Sequence, residues 1–249
     1  MASSELTFTG GSGAQLAGVL HTPDEEQPRG SVLLAHCFTC SKDLQTMTRL
    51  AGGLEEAGYA VLRFDFTGLG DSGGEHATTS VSRDVRDLVA ATTALIDRGF
   101  GPCGLLGHSM GGAAALLAAG RLHTVRSVAV LGAPSTPSHI THLLGDSTPE
   151  RDEVAVTIAG RSFTLARSFF DDLDRHDQDA AVADLGRPLL VLHPTEDRTV
   201  DIGEGERIFA QASQPKGFLP LVGADHLLTD RAQAAKALGL VRAWFDATL

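Results

Sequence analysis

Cysteine is scarce in this chain. Cys37, Cys40 and Cys103 are its three cysteines, too few for a disulfide framework and leaving one over in any pairing. Basic charge is short as well: 20 Lys and Arg face 31 Asp and Glu, for a formal charge of −11. That balance argues against nucleic acid and anionic membrane surfaces as partners. No apolar window approaches a membrane span. The opening Met1-Ala2-Ser3-Ser4-Glu5 has no basic stretch followed by an apolar run, so a secretion signal is not expected and a cytoplasmic location is. Linkers, internal repeats and low-complexity tracts are missing too. The 249 residues suit one large α/β domain with a substantial core.

What is present is organised around Gly107-His108-Ser109-Met110-Gly111. A short apolar run at 104–106 reads as a buried strand, and the Ala-rich run at 113–119 reads as a helix. Strand, G-x-S-x-G and helix in that order describe a nucleophile elbow, a sharp turn that projects the serine hydroxyl above a sheet. A Cβ at Gly107 or Gly111 would collide where the turn is tightest. The following helix N-terminus supplies free N–H groups beside a reacting carbonyl.

The remaining elements alternate. Residues 6–8 and 16–21 flank a glycine-rich turn and read as an antiparallel hairpin. Strands are predicted over 31–35, 60–66, 127–131, 189–193 and 217–221, and helices over 44–57, 81–96, 205–212 and 232–247. This alternation predicts a mostly parallel sheet with helices on both faces. Residues 135–187 are too long for a connection and read as an inserted lid. Within it, 154–158 and 163–166 suggest a hairpin turning at Ala159-Gly160, with helical segments near 167–173 and 178–185.

A serine hydroxyl is a weak nucleophile at neutral pH. It needs a base, and the base needs a group that fixes its tautomer and stabilises its cation. Behind an elbow serine, the acid and then the histidine follow in the chain. The strand ending at His193 opens into Pro194-Thr195-Glu196-Asp197, and the strand ending at Leu221 opens into Val222-Gly223-Ala224-Asp225-His226. Asp197 is therefore assigned as acid and His226 as base, with Glu196 and Asp201 open as alternatives for the acid. Asp225 adjoins the base and points apart from it too readily to orient it. Two backbone donors are needed for the oxyanion: the amide of Met110 and, from the loop after 31–35, that of Phe38.

Four motifs now stand together: His36-Cys37-Phe38-Thr39-Cys40-Ser41-Lys42-Asp43, Leu62-Arg63-Phe64-Asp65-Phe66-Thr67-Gly68-Leu69-Gly70-Asp71-Ser72, Gly107-His108-Ser109-Met110-Gly111-Gly112 and Ala224-Asp225-His226-Leu227-Leu228. Together they closely resemble the hydrolase half of bacterial α/β-hydrolase/OsmC bifunctional proteins. The chain is also similar to the small cinnamoyl and feruloyl esterases, which usually carry His-Gly-Phe where this chain has His36-Cys37-Phe38. The resemblance covers nearly the whole chain and implies an α/β-hydrolase fold with Ser109, Asp197 and His226 as triad and Phe38 and Met110 as oxyanion donors. The OsmC peroxidase part has no counterpart here, so its thiol chemistry is not carried over.

Other signals are set aside. Gly68-Leu69-Gly70-Asp71-Ser72-Gly73 matches a dinucleotide fingerprint, but polar residues separate it from the next helix. Cys37-x-x-Cys40 has redox or zinc spacing without a second pair, and reads as small loop residues, or at most a reactive thiol. His139 and His142 lack a third ligand and read as lid surface. The aspartates at 171, 172, 174, 177 and 179 lack an EF-hand's glycine and glutamate and read as caps or solvated positions. The expectation is a serine esterase without cofactor or metal, acting on a small-molecule ester. Thioesterase or acyltransferase activity and non-catalytic ligand binding are the alternatives. Val156, Ile158, Phe163, Leu165, Phe169 and Phe170 read either as an acyl or aryl pocket wall or as packing of the lid onto the core.

Overall fold

Uninterrupted apolar stretches become the centre of one sheet. A computed structural model describes the chain except residues 1, 25–26, 102, 144–152 and 159–160. β1 (Ala2–Thr9) and β2 (Gln15–Thr22) form an antiparallel hairpin at one edge. β2 pairs antiparallel with β4 (Ala60–Phe64), which lies beside β3 (Ser31–Ala35). β5 (Cys103–His108) and β6 (Val125–Leu131) follow. Between them and the last sheet strands, β7 (Glu153–Ile158) and β8 (Arg161–Ala166) form a separate hairpin. β9 (Leu189–Pro194) and β10 (Lys216–Leu221) complete the order β1-β2-β4-β3-β5-β6-β9-β10, parallel from β4 onward. β3, β5 and β9 are buried along their full length, as parallel strands covered on both faces must be.

Alternate residues along each strand serve opposite layers. In β3, Val32 and Leu34 meet α1 (Gln45–Glu56) and α7 (Arg231–Thr248) through Met47, Leu50, Val241 and Phe245. Leu33 faces the other layer, with α2 (Val81–Ile96) and α3 (Met110–Ala119). Each fully buried side chain of this size contributes roughly 1.5–3 kcal/mol. Among the described residues no helix is long and apolar enough to cross a membrane.

In the expected insertion the hairpin forms, with β7 beginning one residue and β8 two residues before the expected starts, while its turn at 159–160 lies outside the described residues. The helical segments become α4 (Arg167–Leu173) and α5 (Gln178–Ala183). Val156, Leu165 and Phe169 are buried in the main core, with Phe163 and Phe170 packed against it. The side chain of Ile158 lies outside the described residues. Asp177 caps α5 by accepting from the Ala180 amide, as the capping reading of the aspartates expected.

Three helices start before the expected residue, α3 at Met110 among them. α6 (Ile202–Gln211) begins behind Asp201, which accepts from the Gly203 amide, and α7 begins behind Asp230, which accepts from the Gln233 amide. Asp201-x-x-Glu204 and Asp230-x-x-Gln233 are N-terminal cap patterns that apolar periodicity alone passes over.

Candidate active site

β5 runs straight into Ser109, which sits at φ 56°, a strained left-handed conformation for a side chain with a Cβ. The strain is enforced by close packing on either side. A Cβ on Gly107 would come within 2.4 Å of the Gly111 carbonyl oxygen, and one on Gly111 within 2.3 Å of the His36 carbonyl oxygen. The serine is only 6% exposed.

The loops after β9 and β10 bring the other two groups to it. They are joined by main-chain bonds from Thr195 N to Leu221 O (3.1 Å) and from Glu196 N to Ala224 O (3.0 Å). His226 Nε2 lies 3.0 Å from Ser109 Oγ, and its Nδ1 lies 2.7 Å from Asp197 Oδ2. The other Asp197 oxygen accepts from the Thr199 and Val200 amides, both at 2.8 Å. Burial would raise the Asp197 pKa, but the hydrogen bond and charge of His226 and these amides outweigh it and hold the carboxyl below its ordinary value. Gly132, at φ 55°, passes beneath: a Cβ there would lie 3.2 Å from Asp197 Oδ2.

The alternatives for the acid do other work. Asp201 caps α6, Glu196 is exposed, and Asp225 closes its own turn by accepting from the Thr229 amide at 2.9 Å.

Opposite Ser109 lies the loop after β3. Among the described residues, the amides of Phe38 and Met110 make no hydrogen bond. Both residues line the cavity beside Ser109. The loop is anchored at each end. His36 Nε2 accepts from the Phe66 amide (3.4 Å) while its Nδ1 donates to the Cys37 carbonyl (2.8 Å), and the Lys42 amide donates to Asp65 Oδ1 (2.6 Å). Lys42 Nζ reaches Asp65 Oδ2 at 2.9 Å and also Asp71. Burial would lower the Lys42 pKa, yet hydrogen bonds to Asp71, Asp65 and Asp43 raise it above the ordinary lysine value. The glycine-rich loop wraps Asp65, since a Cβ on Gly70 would fall 2.1 Å from its carboxyl oxygen. Gly70 thus serves this ion cluster.

The cysteine reading needs correction. Cys37 and Cys40 form a disulfide, with Cα atoms 5.4 Å apart, and Cys103 alone is free. An odd count of three excludes a framework but not a single local bridge, and two intervening residues let the chain turn back on itself.

A cavity of about 140 Å³ lies between Phe38, Met110, Ile140 and Leu227, with Ser109 and His226 at its wall. An open groove of about 440 Å³ bordered by Glu196, Arg198, Asp225 and Thr229 shares Thr199, His226 and Leu227 with it. Among the described residues, the apolar positions named in the insertion do not line either one. Phe169 stacks on the back of Phe38 with centroids 5.4 Å apart, so packing is their observed role. Ile140 was not singled out from the sequence, because a single apolar residue in a loop carries no pattern. His139 touches His142 edge-on, and its Nε2 lies 3.2 Å from the Thr199 carbonyl. Among the described residues no cluster suited to a metal ion forms.

His108 is a further residue that sequence reading passed over. Its buried ring donates from Nε2 to the His226 carbonyl at 2.8 Å. Burial lowers its pKa to about 3, so it holds the His226 turn as a neutral donor.

A nucleophile elbow on a mostly parallel sheet, facing a histidine and a buried carboxylate, defines a hydrolase of the α/β class. A family model described as serine aminopeptidase, S33, matches residues 26–144. The esterase domain of a Rhodothermus marinus protein is 38% identical, with 98% of each chain covered and a TM-score of 0.82. Est1E from Butyrivibrio proteoclasticus, solved with ferulic acid bound, is 20% identical over 98% of this chain and 99% of its own, with a TM-score of 0.87. A monoacylglycerol lipase from Mycolicibacterium smegmatis is 31% identical over 141 residues, covering 55% of this chain and 48% of that one. The chain belongs to the α/β-hydrolase superfamily. Within it, the protein is an ester-hydrolysing enzyme.

Proposed function

We propose that the protein is a serine carboxylesterase acting on small to medium acyl or aryl esters through an acyl-enzyme. The observation that carries this reading is the unbroken line of hydrogen bonds from Ser109 Oγ through His226 to Asp197, facing two unengaged amides. Ser109 Oγ attacks the ester carbonyl while His226 Nε2 takes its proton. Asp197 keeps Nδ1 protonated and stabilises the imidazolium. The oxyanion accepts from the Phe38 and Met110 amides. His226 then passes the proton to the leaving alcohol, and water, deprotonated by the same ring, releases the acid.

The apolar cavity of about 140 Å³ suits the acyl or aryl group, and the open groove suits the alcohol. The inserted segment acts as a lid in the sense of backing Phe38. The test is a panel of p-nitrophenyl esters of increasing chain length beside a methyl hydroxycinnamate, a matching thioester and a matching anilide. Turnover of the oxygen esters, with Ser109 labelled by a fluorophosphonate and Ser109→Ala slower by at least about a thousandfold, is the expected outcome. Undiminished turnover by Ser109→Ala refutes the reading, and faster turnover of the thioester replaces carboxylesterase by thioesterase.

A further inference from the structure

The Cys37–Cys40 bridge closes across Phe38 and Thr39, the stretch that presents one of the two oxyanion amides. We propose that this disulfide is a redox-modification site, opened by a dithiol reductant through the substrate cavity, and that opening it lowers ester turnover. The turnover effect rests on the esterase reading above.

Placement gives the bond its leverage. Thr39 is held at φ 63°, a conformation that threonine adopts only when its surroundings impose it. The Cys40 amide donates to the Cys37 carbonyl at 3.1 Å, so the bridge and this turn together fix the direction of the Phe38 amide. On either side the chain is anchored independently, in front by His36, whose Nε2 accepts from the Phe66 amide at 3.4 Å, and behind by Lys42 on Asp65. Breaking the bridge therefore removes the covalent constraint on residues 37–40 without releasing the strands.

Access is equally local. Cys37 and Cys40 both line the cavity that holds Ser109 and His226, and Cys40 is half-buried where Cys37 is 5% exposed. Cys103 is fully buried in β5, and burial raises its thiol to about 11, so it does not compete. A bridge spanning two residues also has the least to gain from restricting the unfolded chain. What it chiefly controls is the shape of the loop.

The exchange balances. A thiolate of the dithiol attacks Cys40 Sγ, and the Cys37–Cys40 bond breaks with its electron pair on Cys37 Sγ, which takes a proton. The second thiolate attacks the mixed disulfide and releases the Cys40 thiolate, which is protonated in turn. The reductant leaves as its cyclic disulfide, having supplied two electrons and two protons.

The experiment uses the full chain, treated with diamide or with dithiothreitol under native conditions, desalted, and divided between two readouts. Thiols are counted by maleimide mass labelling, and kcat and KM are measured on a p-nitrophenyl ester. Expected are labels at Cys37 and Cys40 only after dithiothreitol, with kcat about tenfold lower, KM changed less than threefold, and recovery with diamide. The Cys37→Ala/Cys40→Ala double variant should match the reduced enzyme and ignore both reagents; if it does not fold, the reversible change in the native chain decides. Labelling of both cysteines after diamide, or full reduction with unchanged kcat, overturns the proposal. A diamide-treated chain without esterase activity refutes the esterase reading and, with it, the control of turnover, while the thiol count still reports separately whether the bond exchanges.

Discussion

Ser109 and Phe38 border the same cavity, yet the chain holds them there by different means. Ser109 stands at the end of a fully buried strand, pressed into its conformation by main-chain atoms of neighbouring elements. Phe38 stands on a loop whose shape depends on a covalent bridge and on the ion cluster of buried Lys42 and Asp65 with exposed Asp71. The first arrangement is a product of packing, and only unfolding undoes it. The second rests on a few polar and sulfur atoms, so chemistry or a single charge change reaches it while the sheet stays intact.

Four substitutions separate the two arrangements. Asp197→Asn acts on the strand-borne side alone: the cavity should keep its shape while kcat falls about 10⁴-fold, because the imidazole loses its tautomer and its counter-charge. A loss below tenfold in steady-state ester kinetics would place the orienting acid elsewhere. Gly111→Ala strikes where the two sides touch, since its Cβ would fall 2.3 Å from the His36 carbonyl oxygen. Main-chain oxygen cannot swing aside, so about 1–3 kcal/mol of stability and about a hundredfold in kcat should go together. Calorimetry beside kinetics checks this, and an unchanged melting temperature contradicts it.

Asp65→Asn addresses the loop alone. It leaves the buried Lys42 short of a charge partner, which should cost roughly 3 kcal/mol in urea unfolding. We expect kcat to drop about tenfold with KM nearly constant, and equal losses in both would argue against a role confined to the oxyanion amide.

The smallest effect is expected at His108, and it depends on pH. Its folded pKa of about 3 lies below the ordinary 6.5, so the unfolded chain binds the extra proton first as pH falls. The stability it contributes is present above about 6.5 and is lost progressively towards pH 3, with a slope of up to about 1.4 kcal/mol per pH unit. His108→Gln should flatten that slope by one proton and slow turnover less than tenfold. Identical pH profiles for the two proteins would show that the ring does not stay neutral.

Much of the strand-borne side was legible in the sequence. Gly107-His108-Ser109-Met110-Gly111 announces itself because a sharp turn demands glycine at fixed offsets, and the meeting of Asp197 and His226 with Ser109 was legible because strand ends are periodic and ordered. The loop-borne side was harder to read. Nothing in Lys42 or Asp65 as letters says that they meet, since residues 23 apart in sequence are brought together by β3 and β4 lying side by side. Cys37-x-x-Cys40 was visible as spacing, but whether two sulfurs bond is settled by loop geometry. The alanines after Gly112 drew attention away from the true helix start at Met110. The apolar residues of the β7–β8 hairpin had two readings because burial against a core and burial against a substrate favour the same side chains.

The two main-chain bonds that tie the segment after β9 to the segment after β10 have one more consequence. Carboxylate and imidazole are fastened to a common piece of backbone, so thermal displacement of one carries the other with it. Their separation is therefore the stiff coordinate of the centre. The compliant one is the gap between imidazole and hydroxyl, the distance that a proton crosses twice per turnover in the proposed mechanism.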